Sequence, residues 1–479
     1  MTQTFVEVLD GHALADPDRP ALTCDGESLT RAELRDASRE LAAALQSQGV
    51  GEGDYVSIVL PNSNDFMLWA VAVWRLGAVP QPLSPRMATP ELQAIADLVK
   101  PAGVIGVHIE GHTTLGNHVA TEPFVDSYPV SPFWKAPTSG GSTGRPKVIV
   151  ANAPALAANL LPFGDLLLMP SDATVLVPGP LHHNAPFMFA SLALLRGNHV
   201  VLQRRFDAER TLADLESHAA QWMYAVPTMM QRIWRLEPEM RGRFDVSSLE
   251  HVVHMAAPCP PWLKRAWIGW LGPARIIEVY AATEAQAATR IDGAEWLERP
   301  GSAGRVMLGE MQVLDDEEQG VPAGTTGRIW MRRGAGAEPP YFYLGAEAKS
   351  APGGWECLGD VGHIDDDGFV YLTDRDSDMI LVGGSNVYPA EVEAAIDEHP
   401  AVLSCCVVGL PDADLGAIPH AIVQTSRPLD NDELVAFLRE RLSPYKVPRS
   451  FEHVTEALRD DAGKVRRSAL RAARLEGAR

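Results

Sequence analysis

The stretch that decides the fold reads Thr138-Ser139-Gly140-Gly141-Ser142-Thr143-Gly144-Arg145-Pro146-Lys147. Its three glycines allow the backbone to approach a ligand closely. Successive backbone N–H groups, with serine and threonine hydroxyls and a lysine at the end, form a cradle for an anion such as phosphate. The spacing matches neither GxxxxGK[ST] nor GxGxxG. Because Gly, Ser and Thr clusters are also typical of surface loops, the segment alone leaves both interpretations open.

Helical and strand-like segments alternate on both sides of this loop. Apolar residues recur at helical spacing over residues 31–48, and a short apolar run at 55–60 predicts a buried strand. The same order of helix and strand continues over 66–82 and returns over 175–220. This rhythm predicts an α/β fold with largely parallel sheets.

The pattern of predicted secondary structure changes twice towards the C-terminus. Between residues 301 and 371, short strand-like runs are separated by Gly, Pro and Asp, which predicts a β-rich subdomain with tight turns. Beyond it, strand and helix candidates alternate over roughly a hundred residues, enough for a separate small α+β domain. We therefore predict a large N-terminal domain, residues 1–376, and a small C-terminal domain, residues 377–479.

The composition restricts partners and compartment. The 479 residues are 46% hydrophobic and carry a formal net charge of −21, which repels nucleic acids and anionic membranes, so we expect neither as a partner. The five cysteines are an odd number without metal-binding spacing, which favours reduced thiols. No signal-peptide pattern or apolar run of membrane-spanning length is recognisable. We expect a cytoplasmic protein and make no prediction of its oligomeric state.

Five further segments accompany the glycine-rich loop in a fixed order along the chain. They are Pro180-Leu181-His182-His183, Tyr280-Ala281-Ala282-Thr283-Glu284, Leu358-Gly359-Asp360, the run from Asp374-Arg375 through Val382-Gly383-Gly384-Ser385 to Glu393, and Gly463-Lys464-Val465-Arg466-Arg467. Together the six resemble the core motifs of the adenylate-forming superfamily, which contains acyl-CoA synthetases, luciferases and the adenylation domains of peptide synthetases. The wording around His183-Asn184-Ala185-Pro186 is most similar to the bile-acid and fatty-acid CoA ligase branch.

The resemblance implies a site for ATP. The glycine-rich loop with Lys147 would hold the β- and γ-phosphates, Asp360 the ribose hydroxyls, and Arg375 both ribose and phosphate. Glu284, which follows Thr283, would carry Mg²⁺, because this ion prefers carboxylate and phosphate oxygens. The adenine slot would be formed by Ala256, Ala257, Pro258, Glu278, Val279 and Tyr280, with Tyr280 stacked on the base.

The resemblance also assigns the catalyst and a moving domain. A carboxylate that attacks the α-phosphate creates an anionic transition state, which the ammonium of Lys464 would stabilise. By itself, a lysine near a basic C-terminus is an ordinary surface charge. One face of the mobile C-terminal domain would deliver Lys464, and another would bring Gly383 and Gly384 to the acceptor tunnel. Ser377 matches the hinge of this rotation.

The acid and acceptor sites are defined less sharply. His183 matches a gate between the carboxylate and the acceptor tunnel, although a buried structural histidine is an equally serious interpretation. Arg86 and Lys446 match cations that reach the phosphates of CoA in some relatives, or are solvated surface charges. The acid pocket is assigned to His183, Tyr224, Val226, Ala281 and Ala282.

Two departures from the family pattern bear on substrate choice. Ala281 and Ala282 stand where the motif has glycine or another small residue, which narrows the acid pocket against long fatty acids. Leu415 stands where many CoA ligases have a tryptophan, and leucine cannot stack on the adenine of CoA.

We therefore predict an ATP-dependent ligase that converts a carboxylic acid into its acyl-adenylate with release of pyrophosphate and then transfers the acyl group to CoA. The alternative is an amide synthetase, in which an amine intercepts the adenylate, and the departures favour it somewhat. Loading of a carrier protein comes third. A catalytically silent binding protein is the alternative from another class, and Lys464, Glu284 and Asp360 argue against it.

Overall fold

The computed structural model describes residues 3–116, 124–139, 147–375, 378–382, 385–412, 414–460 and 463–476. Its helices are α1 Phe5–Ala15, α2 Arg31–Ser47, α3 Asn64–Arg75, α4 Thr89–Val99, α5 Ala157–Leu166, α6 Asn184–Leu195, α7 Ala208–Ser217, α8 Pro227–Trp234, α9 Pro238–Arg241, α10 Pro261–Leu271, α11 Gly293–Glu298, α12 Pro389–Asp397, α13 Asn431–Arg439 and α14 Arg467–Glu476.

The strands of the N-terminal half are β1 Pro20–Cys24, β2 Glu27–Thr30, β3 Tyr55–Ile58, β4 Val79–Pro82, β5 Gly103–Ile105, β6 Thr114–Leu115, β7 Thr138–Ser139, β8 Lys147–Ala151, β9 Thr174–Val177, β10 His199–Leu202, β11 Trp222–Ala225 and β12 His251–His254. They are followed by β13 Ile276–Ala281, β14 Ala288–Asp292, β15 Ser302–Leu308, β16 Glu310–Leu314, β17 Gly327–Arg332, β18 Tyr341–Leu344, β19 Ser350–Ala351, β20 Trp355–Ile364, β21 Phe369–Arg375, β22 Ile380–Val382, β23 Ser385–Val387, β24 Val402–Asp412, β25 Gly416–Thr425 and β26 Ser450–Val454.

The predicted helix at 31–48 is confirmed as α2, and its start has a local cause. The hydroxyl of Thr30 accepts from the backbone N–H of Glu33, whose carboxylate accepts from the N–H of Thr30. The apolar face of α2 is buried at positions such as Leu34 and Leu45. The strand predicted at 55–60 is also confirmed, as β3.

The largest sheet, called the central sheet below, contains a block of six parallel strands, in line with the alternating rhythm of the sequence. Strands β1, β10, β9, β11, β12 and β13 lie side by side and parallel. The carboxyl ends of parallel strands meet at one edge of a sheet, where α/β proteins bind their ligands. Four of these strands, β9, β11, β12 and β13, lead directly into segments that the sequence assigns to the site.

The β-rich region predicted at 301–371 is present, and it continues the central sheet. Strand β14 pairs antiparallel with β13, and β15, β21, β20, β17 and β16 extend the same sheet. A smaller parallel sheet, β4-β3-β5-β6, and the sheet β18-β8-β7 complete this part of the chain.

Residues 380–454 form their own sheet, ordered β23-β22-β25-β24 with β26 beside β25. The apolar runs at 402–408 and 421–424 predict two short strands, whereas β24 and β25 are longer than these runs and pair as a long hairpin. Pro411 and Pro419 explain the difference, because proline interrupts a strand pattern even where the backbone continues as strand. Among the helices of the described residues, none is long and apolar enough to cross a membrane.

Candidate active site

Several predicted site residues lie outside the described residues. They are Gly140, Gly141, Ser142, Thr143, Gly144, Ser377, Gly383 and Gly384. Thr138 lies in the short strand β7, where it is paired with Val148 of β8. For Ser139 and Arg375 the backbone places each in a strand, Ser139 beside Lys147 and Arg375 beside Asp360.

The loop that carries His183 is tied to the fold by one buried asparagine. Asn62 donates through Nδ2 to the carbonyl oxygens of Gly179, at 2.8 Å, and Gln203, at 3.0 Å. Its Oδ1 accepts from the N–H of Leu181 at 2.7 Å. Because one side chain satisfies three backbone groups, the loop after β9 has a single defined path to His183.

We expect Asn62→Ala to lower the free energy of unfolding by about 3 kcal/mol, since three buried backbone groups lose their partner. Urea unfolding measures this loss. Asn152→Ala is the matched control, because Asn152 is exposed and its Nδ2 donates to the carbonyl of Pro339. That control should change the free energy by less than about 0.5 kcal/mol. Equal effects of the two variants contradict the assignment.

His183 immediately precedes helix α6 and lies beside His182, with ring centroids 4.3 Å apart. Burial lowers the pKa of His183 well below its usual 6.5, and the neighbouring His182 and the charge of Lys464 lower it further. The ring is therefore neutral at physiological pH.

The sequence did not predict a buried lysine, Lys135, beside this helix. The ammonium of Lys135 donates to Oδ1 of Asn184, the residue after His183, and lies 4.1 Å from the ring centroid of Trp134. Burial lowers the pKa of Lys135 to about 7. A lone lysine without a motif gives no signal in the sequence, so only the fold could reveal it.

Glu284 is buried, with 6% of its surface exposed, and has two partners. Its Oε1 accepts from the hydroxyl of Tyr343 at 2.6 Å and from the ammonium of Lys147 at 3.3 Å. The structure thus brings together the predicted metal carboxylate and the lysine of the glycine-rich loop. Tyr343 is an additional site residue that the sequence did not predict. Its position beside Glu284 depends on the pairing of β18 with β8, which no local motif indicates.

The predicted ribose and adenine residues also meet. The hydroxyl of Tyr280, on β13, donates to Oδ2 of Asp360, on β20, at 2.6 Å. Glu278 forms an ion pair with the fully buried Lys264, a partner that the sequence did not reveal. Val279, which lies between Glu278 and Tyr280 in β13, is buried. Thr283 is half-buried just before Glu284. Ala256, Ala257 and Pro258 follow β12, the neighbour of β13.

The predicted acid-pocket residues line the same edge of the sheet. Tyr224 is buried, its ring centroid lies 5.2 Å from that of Phe189, and burial raises its pKa. Val226 is buried at the start of α8. Ala281 and Ala282 are half-buried at the end of β13. These four side chains are apolar, apart from the phenol of Tyr224.

The loop with Lys464 packs against this edge from the C-terminal part of the chain. Gly463 is buried with φ +76°, and a methyl group there would lie 2.5 Å from Oγ1 of Thr228, in the first turn of α8. Asp460 closes the loop: its Oδ1 accepts from the N–H of Lys464 at 2.8 Å, and its own N–H donates to the Lys464 carbonyl at 2.9 Å. Arg459 donates to the carbonyl of Gly463 at 3.2 Å.

The two cations predicted to bind the phosphates of CoA differ in their surroundings. Arg86 is exposed in the loop after β4. Lys446 forms an ion pair with Glu391, at 2.6 Å and 2.7 Å from its two carboxylate oxygens. Leu415 is half-buried and packs against the core of the C-terminal sheet. A phosphate of CoA would therefore compete with Glu391 for Lys446.

The chemistry of Glu284 fits a metal that arrives with its nucleotide. Within the parts of the chain that the structure describes, no group of three or more His, Cys, Asp and Glu side chains could hold a metal alone. Mg²⁺ commonly binds through one or two carboxylates together with substrate phosphates. One buried carboxylate beside a phosphate-binding lysine satisfies that requirement.

Comparison with known proteins gives a consistent result. The AMP-binding enzyme family matches residues 9–137 and 136–342, and the AMP-binding enzyme C-terminal domain matches residues 391–464. The chain is 33% identical to a feruloyl-CoA synthase from Amycolatopsis sp, with 96% of each protein covered.

Solved structures agree over almost the whole chain. O-succinylbenzoate coenzyme A synthetase from Bacillus subtilis, in complex with ATP and magnesium ion, superimposes with a TM-score of 0.83 at 25% identity, covering 98% of this chain and 100% of that one. The amide bond synthetase McbA from Marinactinospora thermotolerans gives a TM-score of 0.80 at 26% identity, covering 98% of this chain and 99% of that one. The resemblance stated from the motifs is confirmed, and the chain belongs to the AMP-binding enzymes of the adenylate-forming superfamily.

Proposed function

We propose that this protein is an ATP-dependent acid–CoA ligase. In the first half-reaction, an oxygen of the acid's carboxylate attacks the α-phosphorus of ATP, the bond to the β-phosphate breaks, and acyl-AMP and pyrophosphate form. In the second, the sulfur of CoA attacks the acyl carbon, AMP leaves, and the thiol proton passes to solvent. The observation that carries the proposal is the packing of the Lys464 loop on α8, where a methyl group added at Gly463 would meet Thr228.

The nucleotide residues act mainly through charge and position. The glycine-rich loop and Lys147 hold the phosphates, while Asp360, fixed by the hydroxyl of Tyr280, accepts from the ribose hydroxyls. Mg²⁺ bound at Glu284 would neutralise phosphate charge. Arg375, whose backbone pairs with that of Asp360, is the proposed second cation for ribose and phosphate. Lys464 stabilises the charge that develops at the α-phosphate.

We also propose that residues 1–376 form the adenylation core and residues 377–479 the mobile domain, with Ser377 as hinge. The separate sheet of residues 380–454 supports this division. Rotation of the smaller domain would remove Lys464 and bring Gly383 and Gly384 to the tunnel that His183 gates. Arg86 and Lys446 are the proposed contacts for CoA phosphates. We propose a cytoplasmic location, where ATP and CoA are supplied.

The proposed acid is aromatic and compact. Tyr224 and Val226 give the predicted pocket apolar walls, and the methyl groups of Ala281 and Ala282 would narrow it. The relative from Amycolatopsis is a feruloyl-CoA synthase, which supports an aromatic acid.

Amide formation is the second candidate function, and Leu415 favours it. Leu415 packs into the C-terminal core, and Lys446 is already paired with Glu391, so neither offers CoA a ready contact. In this alternative, an amine nitrogen attacks the acyl carbon of the same adenylate, AMP leaves, and the nitrogen loses a proton. The similarity to an amide bond synthetase is compatible with it.

Mass spectrometry of one reaction mixture separates these functions. The mixture contains the protein, ATP, Mg²⁺, a pool of aromatic and aliphatic acids, CoA and a pool of amines. We expect acyl-CoA of an aromatic acid as the main product. Amide without acyl-CoA supports the second candidate. Absence of pyrophosphate release with every acid contradicts both and favours a silent binding protein.

A further inference from the structure

Three side chains from separate parts of the chain meet around one carboxylate oxygen. Lys147 begins β8, Glu284 follows β13, and Tyr343 lies on β18. The hydroxyl of Tyr343 lies 2.6 Å from Oε1 of Glu284. The ammonium of Lys147 lies 3.3 Å from that Oε1 and also 3.3 Å from the Tyr343 hydroxyl oxygen. The same ammonium lies 4.4 Å from the centroid of the Tyr343 ring.

The hydroxyl of Tyr343 matches both neighbours at once. A phenol has one proton to donate and lone pairs to accept with. Here it donates to the Glu284 carboxylate and accepts from the Lys147 ammonium. The ring face attracts the same ammonium through a cation–π contact.

Tyr343 is held more firmly than the carboxylate that it contacts. Strand β18 pairs with β8 over four residues, and the ring of Tyr343 packs edge-on against Tyr341 at 4.8 Å. Glu284 lies in a turn, just before Ala285 with φ +56°. A side chain on a turn has no ladder to fix its direction, so its carboxylate depends on its hydrogen-bond partners.

We propose that Tyr343 is a positioning residue for the nucleotide–metal complex. Its hydroxyl fixes the direction of the Glu284 carboxylate, and its ring face, which phenylalanine keeps, lies against the Lys147 ammonium. This inference rests on the proposed function, because it takes Glu284 as the metal carboxylate and Lys147 as a phosphate ligand. Tyr343 contacts neither reacting atom and acts through these two side chains.

Tyr341 provides a matched control. It lies on the same strand and the same face, and its hydroxyl also donates to a glutamate, Oε2 of Glu356 at 2.7 Å. Tyr341→Phe and Tyr343→Phe therefore remove the same atom from the same strand. They differ in which carboxylate loses a donor.

Calorimetric titration with α,β-methylene-ATP tests the proposal, with Mg²⁺ and again with EDTA. We expect Tyr343→Phe to weaken binding about tenfold in Mg²⁺, as for loss of a hydrogen bond to a charged group, and less than about twofold in EDTA. Tyr341→Phe should change both affinities less than about twofold. Equal weakening in Mg²⁺ and EDTA, or equal behaviour of the two variants, overturns the proposal.

Two further measurements separate the causes of a negative result. In Glu284→Gln, the additional change Tyr343→Phe should no longer reduce the gain in affinity from Mg²⁺, since coupled residues are not additive. A lower melting temperature of ligand-free Tyr343→Phe with intact binding assigns Tyr343 to packing and overturns the proposal. Failure of the wild type to bind the nucleotide contradicts the proposed function itself. An active wild type with an unchanged Tyr343→Phe contradicts only this inference.

Discussion

Replacement of Lys464 by alanine is expected to slow acid-dependent pyrophosphate release about 10²–10³-fold, the usual effect of removing one preorganised donor to a developing charge. The side chain is exposed, while its backbone is fixed by Asp460 and by the packing of Gly463 on α8. The substitution therefore removes a charge from a loop whose path is set by other residues. Thermal unfolding should show a melting temperature close to that of the wild type.

The same variant should separate the two half-reactions. Supplied with synthetic acyl-AMP and CoA, Lys464→Ala should form acyl-CoA at a rate within about threefold of the wild type, because the proposed rotation brings another face of the domain to that step. Arg439→Ala is the control, an exposed cation in the last turn of α13, and should leave both steps unchanged. Equal losses in both half-reactions would contradict the role of Lys464 as adenylation catalyst.

The sequence marks this lysine as a candidate because short motifs contain their own functional residues. The glycine-rich loop, the segment before Glu284 and the segment around Lys464 are recognised by their fixed order along the chain. Helix α2 and strand β3 are equally local, since periodicity and capping over a few residues determine them. Both elements agree with the structure.

What the sequence could not reveal depends on distant pairing. Tyr343 reaches Lys147 across 196 residues, because β18 pairs with β8. Asn62 acts on a loop 117 residues away, at Gly179. Neither has a neighbouring residue that marks its partner. The β-rich region was predicted by its turns, but its continuity with the central sheet depends on the pairing of β13 with β14, which composition does not encode.

The geometry of Gly463 leads to the second large effect. We expect Gly463→Ala to reduce pyrophosphate release at least tenfold, because the new methyl group would lie 2.5 Å from Oγ1 of Thr228 on a rigid first turn of α8. The clash exists only while the Lys464 loop lies on α8. The variant should therefore convert synthetic acyl-AMP into acyl-CoA at nearly the wild-type rate.

Backbone strain must be separated from the clash, since alanine at φ +76° costs about 1–2 kcal/mol wherever it occurs. Gly416→Ala is the control for backbone strain alone. Gly416 lies in the C-terminal sheet at φ +78°, and nothing lies within 4 Å of a methyl group added there. Both variants should lose similar stability, but only Gly463→Ala should lose adenylation. Adding Thr228→Ala to Gly463→Ala should then restore much of the rate, because it removes the atom that the methyl group meets. Without such rescue, the contact of the Lys464 loop with α8 is not the one that supports adenylation, and another orientation of the C-terminal domain must carry that step.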